Sequence, residues 1–318
     1  MRENIFEKEI TVNGEFNISG TLTLPSNNLN IHPVVIIVPG TGNSDRDGNS
    51  KKINMNIYKL VAEYLTSIGY ATIRYDKRGL HKSDGDFVKT GLNDSINDIV
   101  YVYNYLKNRD DIDIENIFLL GHSEGAILST IASDQMKLKG LILLAGAGVS
   151  IKSALSMQNQ EAYKEIQNIK GLKGILLRLL YSENKIKKTQ EKLYKKALAT
   201  DEDVIKFQMR KFPAKWLREH LQYTDEDILK LLEIKKIPVL CVTGDKDVQA
   251  DPDDLKSVDE LNNDNIKTKV VENMDHVLRY YGGEKTIINL IKQYKKEVDK
   301  PLHEGLKKVL KDWFEEIR

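Results

Sequence analysis

The sequence predicts an α/β protein: a mostly parallel, doubly wound sheet with an N-terminal antiparallel hairpin and an inserted helical cap. Three observations predict it. Short apolar, β-branched runs alternate with amphipathic segments from residue 34 to residue 145. Two alternating runs meet at Asn13-Gly14 near the start. The alternation stops near residue 150 and resumes near residue 236, after a Lys-, Glu-, Gln- and Leu-rich stretch with helical spacing. The expected organisation is therefore a first core portion over 1–149, a helical cap over 150–235 and a second core portion over 236–318.

Residues 3–12 and 15–24 read as the hairpin, because Asn-Gly tolerates the positive φ of a tight turn. Val34 to Val38, bounded by Pro33 and Pro39-Gly40, suits a strand buried on both faces. A Gly-, Asn- and Asp-rich loop from Gly40 to Ser50 follows. Ile53 to Ile68 has helical spacing and stops at Gly69. Ala71 to Tyr75 is the next strand, and 95–108 is an amphipathic helix with Ile96, Ile99, Val100, Tyr103 and Leu106 on one face. Ile117 to Leu120 reads as a strand, Ala126 to Met136 as a helix and Leu141 to Ala145 as a strand. In the insertion, helical spacing covers 153–168, 172–181, 184–199, 201–210 and 225–233. The sheet pattern returns at Pro238 to Thr243 and Lys267 to Val271, with a helix around 252–262 between them. After Gly282-Gly283 a long terminal helix is expected, interrupted near Pro301 and continued through Trp313.

Composition narrows the function classes. Among 318 residues, 48 Lys and Arg balance 47 Asp and Glu, a formal net charge of +1. A nucleic-acid binder would carry a basic excess, so no nucleic-acid partner is expected. No apolar run approaches the roughly 20 residues that span a bilayer, and no membrane partner is expected. The first residues show no apolar h-region, so a cytoplasmic location is the expectation. Cys241 is the single cysteine, which excludes intrachain disulfides and cysteine metal clusters.

The chemistry concentrates at Gly121-His122-Ser123-Glu124-Gly125, between a strand and a helix. A sharp strand-to-helix turn strains the serine and crowds its neighbours, which glycines at both ends relieve. Ser123 Oγ would then stand at the carboxyl edge of the sheet over a helix N-terminus. A serine hydroxyl needs a positioned base. His122 adjoins the serine with the wrong backbone direction. His32 and His303 read as surface, His81 lies in a polar turn and His220 in the insertion. His276, just past the strand ending at Val271, is the remaining candidate. Its orienting carboxylate should follow the strand 238–243, where Asp247 is preferred and Asp245 reads as turn-stabilising. Asp251 and Asp253 read as the start of the next helix. The oxyanion donors would be the backbone N–H groups of Glu124 and of Thr41, in the loop Pro39-Gly40-Thr41-Gly42.

Together these motifs resemble the α/β-hydrolase superfamily, and within it bacterial serine carboxylesterases. The oxyanion loop of that group reads Gly-x-Gly-x-x-Asp-Arg-Asp, present here as Gly40 to Asp47. The Gly-His-Ser-Glu-Gly elbow stands at 121–125. An Asp-x-Arg-Gly turn appears as Asp76-Lys77-Arg78-Gly79, followed by Ser83-Asp84-Gly85. The position of the usual His in the oxyanion motif is Pro39 here. The resemblance covers about residues 15–150 and 235–290, and implies the α/β-hydrolase fold with the insertion as a cap over the site.

The expected function is that of a serine hydrolase cleaving small-molecule carboxylic esters through Ser123, His276 and Asp247, by way of an acyl-enzyme. Thr41 and Glu124 would supply the oxyanion hole. Nothing in the sequence asks for a metal or an organic cofactor. Arg46 and Arg78 read as loop braces, and the Glu124 side chain as a structural hydrogen-bonder. Phe207, Phe212, Trp216 and Tyr223 are candidate pocket residues. The charged residues of 183–203 read as a solvated helix face. A thioesterase or peptidase of the same fold stays open, as does a catalytically silent binding protein on the same core.

Overall fold

The computed structural model describes residues 6–26 and 29–318. Strands β1 (Phe6–Asn13) and β2 (Asn17–Leu24) pair as an antiparallel hairpin. Asn13 pairs with Asn17, so the turn is Gly14-Glu15-Phe16 and not the tight Asn13-Gly14 connection. The part of the expected first strand before Phe6 lies outside the described residues. Strand β3 (His32–Val38) alternates its side chains between two cores. Val34, Ile36 and Val38 face one side of the sheet, and Val35 and Ile37 the other. This two-sided burial is why Val34 to Val38 carries no polar residue.

The loop after β3 contains a small ribbon, β4 (Asn49–Ser50) and β5 (Ile53–Asn54). Helix α1 (Ile57–Ser67) therefore starts four residues later than its spacing suggested. Asn56 explains the delay. It sits in the left-handed region at φ 51°. The Asn49 side chain holds it there, accepting the Asn56 N–H at 2.8 Å and donating to its Oδ1 at 3.0 Å.

Next come β6 (Ala71–Tyr75), α2 (Leu92–Lys107), β7 (Ile112–His122), α3 (Glu124–Ala132) and β8 (Gly140–Leu144). Later in the chain come β11 (Val239–Gly244), α9 (Asp254–Asp259) and β12 (Ile266–Val271). Among the described residues, eight strands form one sheet in the order β1-β2-β6-β3-β7-β8-β11-β12. Pairing is parallel from β6 to β12, and only β2 runs against the rest. Side chains of α2, α3 and α9 pack on one face, among them Ile99, Val102, Leu128 and Leu255. Helices α1 and α11 (Glu304–Glu316) cover the other with Leu65, Leu310 and Phe314. All the carboxyl ends of the parallel strands thus open on one edge.

Between β8 and β11 lie α4 (Ile151–Asn168), α5 (Gly171–Leu180), α6 (Glu183–Leu198), α7 (Ala214–His220) and α8 (Asp225–Glu233). The helix expected over 201–210 is instead an antiparallel hairpin, β9 (Val204–Phe207) and β10 (Arg210–Pro213). Its two turn residues, Gln208 and Met209, both take positive φ. Ile205 and Phe212 pack from it onto Ala197 of α6 and Leu217 of α7, tertiary burial that local spacing does not encode.

The terminal helix is also shorter than expected. Only α10 (Leu290–Tyr294) forms before Pro301, with α11 after it. Ionic contacts shape the intervening chain. Buried Lys285 donates to Glu297 Oε2 at 2.7 Å and pairs with buried Asp275.

Candidate active site

Ser123 joins β7 to α3 with φ 57° and ψ −125°, a region a side chain enters only under strain. Neighbouring backbone holds it there. Its N–H donates to Leu144 O at 2.8 Å, and its carbonyl accepts the Ala126 N–H at 2.8 Å. The turn is so tight that a Cβ on Gly121 would lie 2.1 Å from the Gly125 oxygen. From the other side, the loop after β3 comes against the serine: a Cβ on Gly40 would stand 2.9 Å from the Ser123 Cβ.

Asp247 lies just past β11 and His276 just past β12. His276 Nδ1 is 2.8 Å from Asp247 Oδ2, and the Asp247 side chain is fully buried. Asp247 Oδ1 accepts the N–H groups of Gln249 and Ala250 at 2.8 and 2.9 Å, which fixes the carboxylate plane. Asp245 accepts the Asn273 N–H at 2.5 Å and so ties the two loops together. Ser123 and His276 line one cavity of about 420 Å³.

His122 is buried beneath them and is no base. Burial, with His276 close by, pushes its pKa down to about 3, so the ring is neutral. Its Nε2 is 2.8 Å from the His276 carbonyl oxygen, and its Nδ1 3.3 Å from the Tyr58 hydroxyl. That hydroxyl accepts the Gly40 N–H at 2.7 Å. One consistent proton arrangement follows from these partners. Gly40 N–H donates to Tyr58, Tyr58 O–H to Nδ1, and Nε2–H to the carbonyl of residue 276.

Lys77, in the turn after β6, ties down the loop after β3. Its Nζ donates to Gly40 O at 2.7 Å and to Gly42 O at 2.5 Å. Burial pulls this ammonium down to about 8, against the opposing pull of Glu124. In a trans peptide the C=O and the following N–H point in opposite directions. With the Gly40 oxygen turned toward Lys77, the Thr41 N–H is turned away from it. Thr41 and Glu124 both line the serine cavity. Glu124 opens α3, and its N–H is one of the donors a helix start leaves unpaired.

The Glu124 side chain reaches into the insertion. Its Oε1 accepts the Trp216 Nε1–H at 2.5 Å and lies 3.3 Å from His220 Nε2. Burial would raise this carboxyl, but His220, Lys77 and Trp216 outweigh it and hold the pKa at about 2. Arg46 and Arg78 are braces. Arg46 pairs with Asp76 at 2.6 Å and Arg78 with Asp98 at 2.7 Å.

A second cavity of about 870 Å³ lies under the insertion and shares Thr41, Glu124, Leu155 and Trp216 with the first. Phe212 and Trp216, two of the candidate pocket residues, line it. Tyr223 lines neither cavity. It packs in the apolar cluster of Ile127, Ile151 and Ile228 because the α7–α8 turn directs it to the core. Phe207, on the β9 strand, lines neither cavity. His32 is buried rather than at the surface. Sequence reasoning missed Tyr58, Lys77 and the His220 contact, because only the fold brings them to the loop and the elbow. Among the described residues, no group of three or more His, Cys, Asp or Glu is arranged to hold a metal ion.

The family described as Serine aminopeptidase, S33, matches residues 51–280, most of the sheet and the insertion. The chain belongs to this family. It is also similar to the esterase EstD of Thermotoga maritima, 28% identical over 301 residues, or 94% of this chain. The chain spans 66% of the length of that relative. Among solved structures, Est1E from Butyrivibrio proteoclasticus with bound ferulic acid superposes with a TM-score of 0.57 at 21% identity, over 90% of this chain and 96% of that one. The Pyrococcus furiosus esterase Pf2001 gives 0.58 at 17% identity, over 98% and 91%. These likenesses show the fold, which is that of the α/β-hydrolases.

Proposed function

We propose that this family member hydrolyses carboxylic esters with Ser123 as nucleophile, His276 as base and Asp247 as its orienting carboxylate. The observation that carries the reading is the 2.8 Å contact of His276 Nδ1 with buried Asp247, on a cavity that also holds the strained Ser123. EstD and the esterase neighbours support the ester class. The elbow at 121–125 and the loop Gly40 to Asp47 are the motifs that tie the chain to bacterial carboxylesterases.

Ser123 Oγ attacks the acyl carbon while His276 Nε2 takes its proton. Asp247 keeps the Nδ1 proton in place and stabilises the imidazolium. The N–H groups of Thr41 and Glu124 meet the developing oxyanion, at a helix end whose dipole favours negative charge. His276 then protonates the leaving alcohol. Water, deprotonated by the same imidazole, releases the acid. Lys77 keeps the Thr41 donor aimed, and the neutral ring of His122 supports the His276 backbone. The insertion over 150–235 serves as the cap between core portions 1–149 and 236–318, with Phe212 and Trp216 as apolar walls for the substrate.

A fluorophosphonate probe and a p-nitrophenyl ester series from acetate to laurate test the reading. The wild-type chain should be labelled and should turn over esters. Ser123→Ala should lose labelling and about 10⁶ in kcat. Labelling that survives Ser123→Ala refutes the nucleophile. Aminoacyl anilides or thioesters turned over faster than every ester would move the chain to the peptidase or thioesterase class.

A further inference from the structure

Helix α5 carries an apolar stripe that nothing among the described residues covers. Leu172, Ile175, Leu176 and Leu179 recur at helical spacing and are all exposed, Leu172 at 86% and Leu179 at 68% of their full area. Leu180 and Tyr181 continue the stripe to the edge of the 870 Å³ cavity, which they help to line. A contiguous exposed apolar patch on a soluble fold marks a contact surface.

The charge around the stripe says what would cover it. Residues 170–198 contain nine Lys and Arg and only two Glu, although the whole chain is formally +1. Lys170, Lys185, Lys187, Lys188, Lys195 and Lys196 are exposed. Among the described residues, none of these six is paired with a carboxylate. A second copy of the chain is a poor occupant, because a two-fold contact would set this basic segment against itself. A surface that is apolar inside and anionic outside matches both features. That is the interface of a bilayer containing acidic phospholipid, which receives amphipathic helices flanked by lysines.

We propose that the α5 stripe and its surrounding lysines dock the protein peripherally on anionic lipid surfaces, with the mouth of the large cavity facing the lipid. The expectation of no membrane partner rests on the lack of an apolar run long enough to span a bilayer, whereas peripheral docking needs only a local apolar stripe with a local basic excess. Among the described residues, no helix is long and apolar enough to cross a membrane, and docking requires none. The proposal does not depend on the assignment of Ser123.

The test is flotation of the full chain with vesicles of phosphatidylcholine alone or with about one third phosphatidylglycerol, at low salt and at about 0.5 M salt, where charges are screened within a few ångström. The expected result is flotation with the phosphatidylglycerol vesicles at low salt, weakened by salt. Lys187→Gln with Lys195→Gln should lower partitioning roughly thirtyfold, at about fivefold per lysine. Leu176→Asp with Leu179→Asp should lower it at least about tenfold, since each leucine loses its apolar burial. Both double variants should keep their melting temperature and their hydrolysis of p-nitrophenyl acetate, and Ser123→Ala should float like the wild type. A chain that stays soluble with both vesicle types overturns the proposal. So does equal, salt-insensitive binding to both, or a concentration-dependent dimer that Leu176→Asp with Leu179→Asp abolishes in the absence of any vesicle binding.

Discussion

Lys77→Met separates fold from function. The substitution keeps the aliphatic stem and removes the ammonium that donates to Gly40 O at 2.7 Å and Gly42 O at 2.5 Å. Two charged hydrogen bonds of about 1.5–3 kcal/mol each are lost, a destabilisation of roughly 3–6 kcal/mol. Against this, the ammonium is itself costly to bury. Its pKa stands at about 8 instead of 10.5, which corresponds to about 3 kcal/mol of penalty that methionine does not carry. The net loss is therefore about 0–3 kcal/mol, and the chain should still fold. The Gly40–Thr41 peptide, however, is no longer held, and the Thr41 N–H loses its aim. Loss of one oxyanion donor costs on the order of 10² to 10³ in kcat. KM should move little, because the ground-state carbonyl gains far less from that donor than the transition state does. Steady-state kinetics on p-nitrophenyl acetate, beside a thermal melt, gives both quantities. Lys77→Arg should recover part of the rate. A folded Lys77→Met chain with kcat within threefold of wild type would refute the claim that this lysine orients the loop.

Other substitutions probe the remaining contacts. Asp247→Asn should reduce kcat by about 10⁴ with little change in fold, since the amide favours the wrong histidine tautomer; kinetics near neutral pH measures it. Glu124→Gln tests the buried carboxylate. Its pKa of about 2 lies below the usual 4.5, so its stabilisation is complete above pH 4.5 and is lost as pH falls toward 2. That depression corresponds to about 3 kcal/mol, so the variant should be weaker than wild type by about that much at pH 7 and by almost nothing near pH 2. Urea denaturation at several pH values reads the difference directly.

What the sequence made legible were features set by local chemistry. The run Val34 to Val38 needs both its faces covered, so its composition announces a central strand. The spacing Gly121-x-Ser123-x-Gly125 belongs to a turn that excludes side chains, and the turn is there. Asp247 and His276 could be placed because each follows a strand end by a few residues. Features decided by distant partners were not legible. Residues 201–210 have no polar alternation strong enough to announce a hairpin, and they become one because Ile205 and Phe212 bury against α6 and α7. The chain after Gly283 has helical spacing, yet Lys285 is drawn to Asp275 and Glu297 and breaks the run. Lys77 looked like one more polar turn residue, since its acceptors lie 35 and 37 positions away. The apolar spacing of 172–181 fitted a buried helix face as well as the exposed one it proves to be.

The relay Gly40, Tyr58, His122, residue 276 passes beside Ser123 and fastens loops that leave different strands of the sheet. Its links are buried, and each needs the next: remove the ring in the middle and both flanking loops lose an anchor. Heating or denaturant should therefore not open one side of the cleft first. Solvent exchange at the Gly40 amide should begin at the same threshold at which catalysis disappears, making inactivation one event instead of a gradual fraying.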